Sequence, residues 1–135
     1  MRLENQCVSL ELAKKLKELG VRQIALFCWS ETETVPSGRD YRLYYKGENA
    51  GGNSLDYSAF TVAELGEMLP DSITNEDDEV CWFYHDKNNQ CHRVSYVHAC
   101  EEICSPLVEV KGETEANARA KMLIYLIENK LWEIK

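Results

Sequence analysis

Two runs, "IALFCWS" (24–30) and "VCWFYHD" (80–86), are largely apolar on both of the side-chain sets that alternate along an extended chain. A strand of that kind lies in the middle of a sheet and needs cover on both faces. Helices able to supply the cover are legible on either side. In "SLELAKKLKELG", Ser9 is a good N-cap, Leu12, Ala13, Leu16 and Leu19 share one face, and Gly20 provides the left-handed stop. In "FTVAELGEMLP", Thr61 and Glu64 have the spacing of a capping box, Phe60 and Leu65 that of a hydrophobic staple, and Pro70 ends the helix. So short a helix must bury its Val62, Leu65 and Leu69 face to persist. The third helix, "TEANARAKMLIYLIENK", opens on Thr114 and carries a stripe of Ala116, Ala120, Leu123, Ile127 and Leu131. Its "MLIYLI" half is apolar nearly all round, so it is either deeply buried or shared with a partner.

Between these elements, "YRLYYK" reads as a strand pairing with 24–30 across a polar loop, "ETETVPSGRD". A hairpin is expected from Val80–Asp86 and Cys91–Val97 about an Asn88-Asn89 turn, and "SPLVEVK" is a candidate edge strand, where Pro106 is tolerated. The expected fold is a single α+β domain over residues 1–135: a mixed or antiparallel sheet of four to five strands, packed by about three helices that could serve both faces. At 135 residues and 44% apolar composition the chain can build such a core.

The charge balance narrows the partners. A formal net charge of −8 opposes the phosphate backbone and anionic membranes, so neither nucleic acid nor a membrane is expected as a partner. The basic and aromatic residues of "YRLYYK" fit a half-exposed strand better than a base-stacking platform. No run approaches the length of a membrane helix, and the N-terminus lacks the apolar core of a signal peptide. A cytoplasmic location in a bacterial cell, with thiols kept reduced, is the expectation. The acidic loop "DSITNEDDE" lacks the ladder, glycine and closing glutamate of a calcium loop. There is no phosphate-binding glycine loop, no HExxH and no nucleophile motif, so enzymatic activity is not expected.

The remaining chemistry concentrates in Val80–Cys104, which holds four of the six cysteines and all three histidines. Cys81 and His85 are roughly 13 Å apart along a strand and cannot share an ion. With a two-residue turn Cys81 faces Tyr96 rather than another cysteine. One subset survives: if "HACEEIC" turns helically, His98, Cys100 and Cys104 converge and could hold zinc, with Cys7, Cys28 or a water as fourth ligand. A Cys81–Cys91 or Cys100–Cys104 disulfide is disfavoured by the compartment. Buried, apolar cysteines are the simpler reading.

Three blocks, "SLELAKKLKELGV" with "IALFCW" behind it, "YSAFTVAELGEMLP" and "EANARAKMLIYLIENKL", resemble a group of small uncharacterised proteins of bacteriophages and prophages. The resemblance implies a phage or prophage origin and an α+β fold. It supplies no activity or functional residues, and residues 75–104 lie outside the blocks. The leading expectation is a non-enzymatic phage accessory protein that binds a protein partner or itself, with Met122, Tyr125, Leu126 and Trp132 as the contact surface. The alternatives are a zinc-stabilised domain and an acidic mimic of nucleic acid, the latter requiring carboxylates ranked on one surface.

Overall fold

A computed structural model of the chain describes residues 2–35, 38–46, 56–98 and 106–132. The fold is α+β. A single helical turn, α1 (Leu3–Gln6), precedes α2 (Leu10–Glu18); β1 (Phe27–Val35), β2 (Gly38–Tyr45) and β3 (Tyr57–Ser58) follow. Then come α3 (Val62–Met68), β4 (Ser72–Thr74), β5 (Val80–Lys87), β6 (His92–His98), β7 (Pro106–Gly112) and α4 (Glu115–Glu128). The strands form two antiparallel sheets, ordered β2-β1-β3 and β4-β5-β6-β7. The run 80–86 therefore lies on an interior strand, as do Phe27–Ser30 of the run 24–30, whose first three residues precede β1.

The helices form for the reasons their sequences give. Ser9 accepts from the Leu12 amide, Gly20 takes φ +89° behind α2, and Ala13 and Leu16 are buried. At α3 the capping box closes: Thr61 Oγ1 accepts from Glu64 N, and Glu64 Oε1 accepts from Thr61 N. The second Glu64 oxygen takes the Leu26 amide, which ties α3 to the chain entering β1. Thr114 caps α4 through the Asn117 amide.

Helix α4 is the centre of the core. Ala116, Ala118, Ala120, Met122, Leu123, Ile124 and Leu126 are all buried on it, because it packs on β6 and β7 and also against α1, α2 and α3. The small residues let backbones approach. A Cβ on Gly112 would lie 2.5 Å from the Ala118 amide nitrogen, so glycine is required where β7 meets α4. The inner face of the four-stranded sheet contributes Ile73, Cys81, Val94, Tyr96 and Val108 to the same core.

Three expectations change. The polar span 31–40 is mostly strand: β1 runs to Val35 and pairs with β2 from Gly38. The acidic segment after Asp71 contains β4 and a tight hairpin. Asn75 Oδ1 accepts from the Asp77 and Glu79 amides, and Asp78 adopts φ 61°. Finally, β5 is covered on one face only. Cys81 is buried and Phe83 half-buried against the core, while Val80, Trp82 and Tyr84 on the other face are exposed.

Candidate functional site

The β5–β6 hairpin positions two features, one on each face. Its loop is set by Asn88, whose Oδ1 accepts from the Gln90 and Cys91 amides at 2.8 Å while its own N–H donates to the Cys91 carbonyl. That makes residues 88–91 a four-residue loop, not a two-residue turn, and moves the register by two. Cys81 faces His98 rather than Tyr96, and Lys87 faces His92. A shift of two preserves the faces of the strands.

On the inner face, the register places His92 diagonally from His85. His85 Nε2 and His92 Nδ1 are 3.0 Å apart, with ring planes 7° from parallel and centroids at 5.3 Å. A 3.0 Å separation lets one ring N–H donate to the other nitrogen, so at most one of the two facing nitrogens carries a proton. Glu115, the first residue of α4, brings a carboxylate oxygen to 3.7 Å from His85 Nδ1. Donor atoms of His85, His92 and Glu115 lie within 4.8 Å of one another. Burial pushes the His92 pKa down, helped by the neighbouring His85 and Lys87 and opposed by Glu115.

On the outer face, Val80, Trp82 and Tyr84 form a row on an interior strand, with Trp82 53% and Tyr84 52% exposed. Their cross-strand neighbours are small or apolar: Trp82 sits between Ser72 and Val97, and Tyr84 opposite Ser95. Beyond them lies a charged row, the Asp86–Arg93 ion pair with Lys111 across the β6–β7 ladder from Arg93.

No family model, curated protein or solved structure matches the chain.

The residues singled out in the sequence fall differently. Met122 and Leu126 are fully buried, so they belong to the core and not to a contact surface; α4 is enclosed by its own sheet and helices. Tyr125 and Trp132 keep 38% and 37% exposure, but the Trp132 indole N–H donates to the Met68 carbonyl at 2.9 Å and the ring lines a cleft with Ile24 and Phe60. His98 Nε2 is 2.6 Å from Glu79 Oε2. Cys100 and Cys104 lie outside the described residues. Cys7, Cys28, Cys81 and Cys91 are free thiols, so no Cys81–Cys91 disulfide forms. Burial pushes the Cys7 thiol up to about 11, with Glu64 adding to the effect, and burial also raises Cys81. Those two thiols are packing groups.

Neither the His85–His92 pair nor the bare β5 face was named from sequence. The two histidines share the inner face in either register, directly opposite each other with a two-residue turn and diagonal with the observed loop. The outer face of β5 is as apolar in sequence as the inner one, so periodicity alone predicts cover on both.

Proposed function

We propose that this chain is a non-enzymatic interaction protein that associates with a second copy of itself through the outer face of β5. The supporting observation is that Trp82 and Tyr84, on an interior strand, are each more than half exposed. Large aromatics clustered on an uncovered sheet are typical anchors of protein contacts, because each removes much apolar area from water at little entropic cost. A strand apolar on both faces needs two covers, and the described residues supply one.

Charge favours a second copy as the other cover. The chain carries −8, so two copies repel through most of their surfaces. The outer face differs: Asp86 and Glu109 are matched by Arg93 and Lys111, a local sum of zero. The acidic-mimic reading gains no support, because the described carboxylates are spread over many elements and several meet their own cations. Asp86 pairs with Arg93, Glu115 with Arg119 and Glu128 with Lys15. The phage or prophage origin rests on the three sequence blocks alone and stays part of the proposal.

Four strands about 4.8 Å apart and seven residues at about 3.3 Å each give a face on the order of 400 Å² per copy. That is at the small end for specific interfaces, so a reversible, concentration-dependent dimer is expected. Sedimentation velocity across a concentration series tests it. The wild-type chain should shift from monomer to dimer, and Trp82→Lys should raise the dissociation constant at least tenfold, about 1.4 kcal/mol. A monomer at every concentration, or a dimer indifferent to Trp82→Lys, would remove the proposal.

A further inference from the structure

We propose that His85, His92 and Glu115 form a binding site for a divalent transition metal of the zinc class, on the face of the β5–β6 hairpin opposite the proposed contact surface. The geometry carries it first. Two nitrogens bound to one tetrahedral zinc at about 2.0–2.1 Å lie about 3.3 Å from each other. His85 Nε2 and His92 Nδ1 are already 3.0 Å apart, and a Glu115 oxygen completes a set of three donors within 4.8 Å. In the metal-free chain the two nitrogens share one hydrogen bond. Imidazole χ2 torsions are broad, so pivoting the two rings turns both lone pairs toward a common point without moving the backbone.

The ligands stand on regular elements. His85 and His92 are diagonal neighbours on adjacent strands, and Glu115 opens the capped helix α4. Arg119 fixes the carboxylate by donating from Nε and Nη2 to Glu115 Oε1 at 3.0 and 2.8 Å, and its guanidinium lies 5.1 Å over the Phe83 ring. The oxygen held by that fork is the one 3.7 Å from His85 Nδ1. An arginine holding a ligand carboxylate is the kind of outer partner that orients metal ligands. Its positive charge also weakens the site relative to an isolated carboxylate. Two imidazoles and a carboxylate suit zinc better than magnesium or calcium, which prefer all-oxygen sites.

Access agrees with the geometry. A cavity of about 430 Å³, lined by Cys91, His92, Glu113 and Glu115, opens onto the site and has room for a water in the fourth position.

The test is a zinc titration of the metal-stripped, reduced full chain at neutral pH, followed by calorimetry and by ¹H–¹⁵N spectra of the histidine rings. One equivalent should bind and move the ring signals of two histidines, leaving the third, assigned with His98→Gln, in place. Glu115→Gln and His92→Gln, each checked for folding by circular dichroism, should weaken binding at least tenfold, and Cys100→Ser/Cys104→Ser should leave it unchanged. Absent binding, movement of the His98 signal, or binding lost on replacing Cys100 and Cys104 would overturn the assignment. The ring spectra need no variant at the site, so a substitution that fails to fold leaves the decision intact.

Discussion

Tyr96 shows how much a single buried side chain on β6 contributes. Its ring is fully buried edge-on to Phe83, and its hydroxyl donates to the Pro70 carbonyl at 2.6 Å. Burial, reinforced by the charge of Asp71, pushes the phenol pKa well above its ordinary value, so it stays a neutral donor. Tyr96→Phe keeps the ring and orphans a buried carbonyl. Urea unfolding should show a loss of about 1–3 kcal/mol with an unchanged m-value. His92 makes the second prediction at this scale. Its folded pKa is lowered from 6.5 by burial, then by His85 and Lys87. The unfolded chain therefore binds more protons between the folded value and 6.5, and stability falls as pH drops through that window. In metal-free protein the melting temperature should decline on acidification from pH 7, and less steeply in His92→Gln. An equal slope in both proteins would show that His92 is not the titrating group.

Elements were read well where a local interaction decides them. The capping box at Thr61 and Glu64, the caps at Ser9 and Thr114, and the stop at Gly20 each depend on residues within four positions, and all form. Thr61→Ala removes the acceptor for the Glu64 amide and a contact to the Glu64 side chain. It should lower stability by about 1 kcal/mol in thermal or urea unfolding, since α3 is too short to persist without its cap and its buried Leu65. Elements were misread where a longer-range choice decides them. Asn88 could open a two-residue turn or an Asx-closed four-residue loop; the first would set His85 directly opposite His92, whereas the second sets His92 opposite Lys87 and diagonal to His85. The α4 stripe was legible, but enclosure of its far side by α2 and α3 was not, so Met122 and Leu126 looked available when they are core.

At the scale of the whole molecule, the α+β class follows from helices alternating with strands, while the division into two sheets depends on pairings that periodicity does not encode. No helix among the described residues is long and apolar enough to cross a membrane. The feature with most consequence is the mismatch between demand and supply of cover. Val80–Lys87 is apolar on both faces, α4 fills one, and Trp82 and Tyr84 are left on the other. Hydroxyl-radical footprinting of the dilute and the concentrated protein reads that face directly. Trp82 and Tyr84 should be modified readily when dilute and protected when concentrated, with Tyr125 and Trp132 unchanged. Equal modification of Trp82 at both concentrations, or protection confined to Trp132 and α4, would contradict a contact through β5.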